Sequence, residues 1–96
     1  MAAYLIVQRK IADQAQFQKY IEAVGPLIAK IGGKAVVRGG ATVEALEGHH
    51  DGRGLVILEF PSMEAIHGWW NWPEYVPMKK LRLGAATLDI WAVQGV

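Results

Sequence analysis

The sequence predicts an α+β fold in which a four-stranded antiparallel sheet carries its helices on one face. Two observations predict it: the elements follow the order strand, helix, strand, strand, helix, strand, and the strands are apolar on both faces. In the segment 54–60, Leu55 and Ile57 point to one side, and Val56 and Leu58 to the other. A sheet that is apolar on both faces needs cover on both. The predicted helices can cover only one, so the other face is expected to meet a second molecule or a ligand.

The first strand and the first helix have readable boundaries. The strand is predicted at 4–11, with apolar side chains on both faces. Asp13 can cap the helix that follows, and Gln16 three residues later suits a capping-box variant. Apolar residues then recur with helical spacing over about four turns, and the glycine pair at 32–33 ends the helix. Pro26 lies inside and is predicted to kink the helix because it removes one backbone hydrogen bond.

The second half of the chain alternates strands with short helical pieces. A strand at 34–46 is predicted to be interrupted by glycines at 39–40, and 47–54 reads as a polar hairpin loop. The third strand is predicted at 55–60 and is followed by a short helix capped by Ser62. Another helical piece is predicted to start at Pro73 and to be interrupted by Pro77. The last strand is predicted at 88–93.

This order of elements is that of the ferredoxin-like arrangement, βαββαβ. The outward-facing side chains would form an apolar patch above the few hundred Å² that soluble monomers usually expose. We therefore expect a homodimer that pairs through the sheet faces, with a twofold axis as the simplest closure.

Composition limits the remaining possibilities. The 96 residues predict one domain, 1–96, and the hydrophobic fraction of 52% is high for so small a protein. The net charge of +1, with both signs scattered, predicts no nucleic-acid partner. Without cysteine there is no disulfide or thiolate chemistry. The first residues do not read as a secretory signal, and the apolar runs are too short to cross a membrane. We expect a soluble, cytoplasmic protein with no membrane contact.

An ordered set of short motifs resembles a known family. The motifs are Arg38-Gly39-Gly40, Leu46-Glu47-Gly48, Ile57-Leu58-Glu59-Phe60-Pro61-Ser62, Trp69-Trp70-Asn71 and Pro73-Glu74-Tyr75. The chain resembles the domain of unknown function family 1330, within the dimeric α/β-barrel superfamily. That resemblance implies a ferredoxin-like protomer that pairs through its sheet. Relatives across the superfamily include cofactor-free monooxygenases, muconolactone isomerase-like enzymes, haem proteins and binding domains, so the resemblance leaves the chemistry open. Departures from the family pattern are Trp72, Pro77 and Gln94.

The polar residues within the strands are the first candidates for a site. Arg38, beside Gly39, could anchor a carboxylate at a point where the backbone is open to a ligand. The alternative is a structural ion pair with Glu59 or Glu47. Glu59 lies in an otherwise apolar strand, so it is a candidate catalytic base or else the partner of Arg38.

The histidines are weaker candidates. His67 on the short helix could shuttle a proton if it faces the sheet, although an exposed position is more common. His49 and His50 are adjacent in a loop, which is poor geometry for a metal, so no metal site is expected. Haem binding through His50 or His67 is a third and weak interpretation, and no cofactor is expected.

Aromatic residues crowd the segment after the third strand. Trp70, Asn71 and Tyr75 could line a small-molecule cleft, with Asn71 as a polar group among apolar walls. Core packing is the alternative for these aromatics. Lys79, Lys80 and Arg82 are predicted to form a solvated helix face.

Two functions follow from these residues. The first is a dimeric module that binds a small organic ligand in a cleft between sheet and helices. The alternative is a cofactor-independent enzyme, monooxygenase- or isomerase-like, that acts on a small aromatic or lactone-type substrate. The missing nucleophile, metal set and phosphate loop slightly favour the first.

Overall fold

A computed structural model describes residues 2–96 as one antiparallel sheet with its helices on one face. Within those residues the strands are β1 (Ala3–Ile11), β2 (Lys34–Val37), β3 (Gly54–Phe60) and β4 (Ala86–Gln94). The helices are α1 (Gln14–Lys30) and α2 (Met63–Trp70), followed by a 3₁₀ helix at Val76–Arg82. The strand order β2-β3-β1-β4 confirms the predicted ferredoxin-like fold.

The strand register assigns each side chain to a face. Leu5 pairs with Leu58 of β3 and with Ala92 of β4, and directly opposed residues in antiparallel strands share a face. Leu5 is 3% exposed and Phe60 is 1% exposed, so this face lies under the helices. Ile6 pairs with Ile57 and Trp91 on the other face. We call this second side of the sheet the outer face.

Helix α1 begins where the sequence predicts. The Asp13 carboxylate accepts a hydrogen bond from the Gln16 amide at 3.0 Å, which satisfies one of the free N–H groups of the first turn. Four of its apolar residues are buried, namely Phe17, Tyr20, Val24 and Leu27. The helix continues through Pro26 to Lys30.

Two predicted elements were wrong in their extent. Strand β2 ends at Val37 and not at 46, and residues 38–53 contain no strand. The chain turns after β2, where the Ala41 amide donates to the Arg38 carbonyl and Gly40 has φ +87°, a value that takes the backbone out of the sheet. Pro77 does not interrupt a helix but lies in the first turn of the 3₁₀ helix, where its missing N–H removes no hydrogen bond.

The helices do not cover the sheet evenly. Helix α2 packs on β1, β3 and β4 through Ile66 and Trp69, whereas the closest partner of α1 is the 3₁₀ helix. The side-chain amide of Gln16 donates to the carbonyls of Leu81 at 3.1 Å and Leu83 at 3.0 Å. A space remains between the inner face of α1 and the sheet.

A cavity between helix α1 and the sheet

The space under α1 is a cavity of about 510 Å³, within the range of small-molecule sites. Its floor comes from the helix-facing side chains of β1, β3 and β4, and its roof from the inner face of α1. Most of the lining is aliphatic or aromatic, including Leu5, Val7, Leu58, Phe17 and Val24. The walls therefore favour an apolar ligand body.

Arg9 is a half-buried cation within this apolar lining. It belongs to β1 and shares the face of Leu5 and Val7, so its side chain runs along the cavity floor. Its guanidinium lies 5.3 Å from the centroid of the Phe17 ring. Burial lowers the pKa of Arg9 because the charged form is partly desolvated. Within residues 2–96 no carboxylate pairs with it.

Arg38 and Gly39 line the rim of the same cavity. A Cβ atom on Gly39 would overlap Nη2 of Arg9, so the glycine makes room for that guanidinium. Arg38 is exposed, and neither Glu59 nor Glu47 forms an ion pair with it. Two arginines therefore line one cavity, Arg9 from β1 and Arg38 from the turn after β2.

Glu59 lies on the outer face, away from the cavity. It is paired in register with Tyr4 and Lys34, and its carboxylate lies 3.5 Å from the Lys34 ammonium. The Lys34 side chain is 71% exposed, so this pair contributes at most about 1 kcal/mol. The partner of Glu59 is therefore Lys34 and not Arg38.

Trp69 contributes ring surface to the cavity wall. The residue is 2% exposed, and its ring stacks on Tyr75 at a centroid distance of 4.2 Å. Its Nε1–H is buried and has no acceptor among residues 2–96. An unsatisfied buried donor of this kind costs about 1–3 kcal/mol.

The other predicted site residues lie outside the cavity lining. Tyr75 is fully buried behind the wall and shares a 2.7 Å hydrogen bond with the Tyr20 hydroxyl, and burial raises its pKa. The Lys79 ammonium lies over the Trp70 ring, 3.8 Å from its centroid. Asn71 donates to the His67 carbonyl at 3.0 Å, and both residues are exposed at the end of α2.

Sequence reasoning missed Arg9, Tyr20 and Trp69 as lining residues. Arg9 carried a usable signal, because it continues the alternation of Leu5 and Val7. Trp69 and Trp70 are adjacent on a helix, and only the packing of α2 decides which of them meets the cavity.

Comparison with known proteins agrees with this architecture. Residues 2–96 match the model of the family described as domain of unknown function DUF1330. The chain belongs to this family. The resemblance found in the sequence motifs is thereby confirmed over essentially the whole chain. No curated protein matches it.

Solved structures of similar shape are distant in sequence. A Rhodopseudomonas palustris protein of unknown function has 21% identity and a TM-score of 0.73, over 99% of this chain and 82% of that one. SnoaB, a cofactor-independent oxygenase from Streptomyces nogalater, has 12% identity and a TM-score of 0.68, over 99% and 93%. A dimeric ferredoxin-like protein of unknown function from Jannaschia sp. CCS1 has 12% identity and a TM-score of 0.67, over 99% and 100%. At these identities the likeness shows the fold alone.

Residues 2–96 lack two further kinds of feature. No helix in that range has the length and apolarity that a membrane crossing needs. In the same range, no three His, Cys, Asp or Glu residues lie close enough together to hold a metal ion.

Proposed function

We propose that this DUF1330 protein binds a small organic acid in the cavity under α1, as a homodimer. The ligand's apolar body occupies the space between α1 and the sheet, and its carboxylate binds Arg9. The observation that carries this proposal is the Arg9 guanidinium, partly buried in an apolar cavity without a carboxylate partner in residues 2–96.

The electrostatics of Arg9 support an anionic ligand. A guanidinium that loses water without gaining a counter-ion is destabilised, and an incoming carboxylate can accept two parallel hydrogen bonds from it. Arg38 at the rim adds a second positive charge. Removing a hydrogen bond to a charged group costs roughly 1.5–3 kcal/mol, or about 10- to 150-fold in affinity.

Aromatic side chains support an aromatic ligand body. Trp69 and Phe17 add ring surface to the aliphatic lining of the cavity. The preferred ligand is therefore an aromatic or alicyclic acid.

Binding is favoured over acid–base catalysis by the titratable groups around the cavity. The described lining residues include Arg9, Lys34, Arg38 and Tyr20 but no carboxylate and no histidine. A general base must lie within hydrogen-bond reach of the proton that it removes. Glu59 is on the opposite face of the sheet. The cofactor-independent enzyme remains the alternative, and the oxygenase among the structural neighbours is a reason to assay oxygen consumption with any acid that binds.

The homodimer is proposed to form through the outer face. Trp91 and Val93 are 48% and 46% exposed there, beside Tyr4 and Ile6 in register. The neighbour from Jannaschia is described as dimeric. At one end of this face Arg53 binds Asp89 and Gln8, which would place a polar rim beside an apolar centre. A stable interface needs about 800 Å² from each partner.

Titration calorimetry with naphthoate and with its neutral analogue naphthylmethanol tests the ligand proposal. Arg9→Gln should lower the affinity for naphthoate by about 10- to 150-fold and leave the affinity for naphthylmethanol unchanged. Lys19→Gln is the matched control, because Lys19 is an exposed cation of α1 and does not belong to the cavity lining. Equal naphthoate affinity in the wild type and in Arg9→Gln would refute the role of Arg9.

Light scattering with gel filtration tests the dimer separately. Trp91→Glu places a charge within the proposed interface and should give monomers. Val76→Glu is the control, because Val76 is similarly exposed, at 47%, but lies on the 3₁₀ helix. A wild-type protein that stays monomeric at high concentration rules out the pairing.

A further inference from the structure

A second concavity, of about 420 Å³, lies between the 3₁₀ helix and the start of β4. Three of its lining residues are cations, Lys79, Lys80 and Arg82, and none is acidic. Leu83, Ala86 and Leu88 form an apolar part of its wall. Among residues 2–96, Leu88 is the one lining residue that it shares with the cavity under α1. The site is therefore distinct from the proposed acid site.

These cations have no counter-ion within the described chain. The ion pairs of residues 2–96 join Lys34 with Glu59, and Arg53 with Asp51 and Asp89. Desolvation and the nearby Arg82 charge lower the pKa of Lys79. Crowded like charges without an anion are unfavourable, and an anion in the concavity would relieve the repulsion.

Aromatic rings hold two of the cations in place. The Lys79 ammonium lies 3.8 Å from the centroid of Trp70 and 5.4 Å from that of Tyr75. The Arg82 guanidinium lies 5.6 Å from the Tyr20 ring and 5.9 Å from the Trp70 ring. These contacts restrict side chains that would otherwise lose considerable rotamer freedom on binding. The solvated helix face predicted from sequence does not describe these two residues.

The backbone beneath the cations is also anchored. The carbonyls of Leu81 and Leu83 accept from the Gln16 side chain, and the Ala85 carbonyl accepts the amides of Ala12 and Asp13 at 2.7 and 2.9 Å. Gly84 lies between these anchors with φ +78°, and a Cβ atom at this position would meet no atom within 4 Å. The hydrogen bonds on either side of Gly84 therefore anchor the backbone that carries the lining residues of the concavity.

We propose that this concavity binds the phosphate group of a small phosphorylated molecule. Phosphate carries up to two negative charges and several acceptor oxygens, which suit a concavity lined by three cationic residues better than one carboxylate does. The volume exceeds that of a phosphate, so Leu83 and Leu88 would contact the carbon part of the ligand. The proposal does not depend on the acid site under α1.

Titrations at constant ionic strength test the site, with inorganic phosphate and phenyl phosphate as probes. Both should bind saturably, phenyl phosphate more tightly because of the apolar wall. Lys79→Gln and Lys80→Gln should each lower the affinity for phenyl phosphate by about tenfold. Lys80 has no ring contact, so its variant changes charge without disturbing the aromatic cluster. Lys19→Gln, at an exposed cation of α1, is the matched control and should bind as the wild type does.

A spectroscopic readout separates specific binding from general charge attraction. Phenyl phosphate should raise the pKa of the Lys79 ammonium, measured by NMR at its Cε, and should leave the Cε signal of Lys19 unperturbed. Vesicles of phosphatidylcholine with and without phosphatidic acid distinguish the source of the phosphate. If the protein binds vesicles that contain phosphatidic acid but neither soluble phosphate, the site belongs to a lipid headgroup. Non-saturable binding, or equal affinity in Lys19→Gln and Lys80→Gln, would overturn the proposal.

Discussion

The buried tyrosine pair offers a quantitative test of how α1 is held over the cavity. The hydroxyls of Tyr20 and Tyr75 lie 2.7 Å apart, and the two residues are 8% and 0% exposed. Replacing either one by Phe keeps the ring and removes one partner of the bond. The remaining hydroxyl is left buried without that partner, at a cost of about 1–3 kcal/mol. In a domain of this size that lowers Tm by roughly 4–8 °C for each kcal/mol.

The double variant gives the sharper result. With both hydroxyls removed, no polar group is left unpaired, so Tyr20→Phe with Tyr75→Phe should cost no more than either single change. Urea denaturation of the four proteins in a double-mutant cycle measures the coupling. Additive losses, with a double variant as unstable as the sum of the singles, would refute the hydrogen bond as the link between α1 and the segment after α2.

Three further predictions concern the rim, the helix start and alkaline pH. Gly39→Ala should weaken the binding of naphthoate, because its Cβ atom overlaps the Arg9 guanidinium. Gly40→Ala, at φ +87°, should cost about 1 kcal/mol of stability and leave naphthoate binding unchanged. Calorimetry and urea denaturation of both variants check this. Asp13→Ala removes the cap of α1 and should cost about 1 kcal/mol in urea denaturation, while Asp13→Asn should retain most of it. Burial raises the pKa of Tyr20 and Tyr75 above 10.0, so the folded state holds these protons more tightly than the unfolded state, and stability should fall as pH rises above about 10; a Tm that stays level there contradicts it.

Strand periodicity predicted most of the sheet, because alternation is a local property of the chain. The assignments for β1, β3 and β4 were correct to within two residues at each end. Strand β2 was predicted nine residues too long, past its observed end at Val37, because apolar residues continue to 46. The turn at Gly40 ends the pairing with β3, and local pattern does not reveal that.

The candidate site depended on facts that are not local. Arg38 and Gly39 were predicted as ligand-binding residues because a cation beside glycines is visible in the sequence, and the structure places both in the cavity lining. The partner of Glu59 could not be predicted, since it depends on the register between β2 and β3. Trp69 and not Trp70 faces the cavity because of how α2 rotates on the sheet. Rotation and register are set by tertiary packing.

The most direct test of the central claim is a crystal structure of the protein with naphthoate bound. The naphthyl rings are expected between α1 and the sheet, with the carboxylate within hydrogen-bond distance of the Arg9 guanidinium. A carboxylate bound elsewhere, with the space under α1 closed by its own side chains, would contradict it.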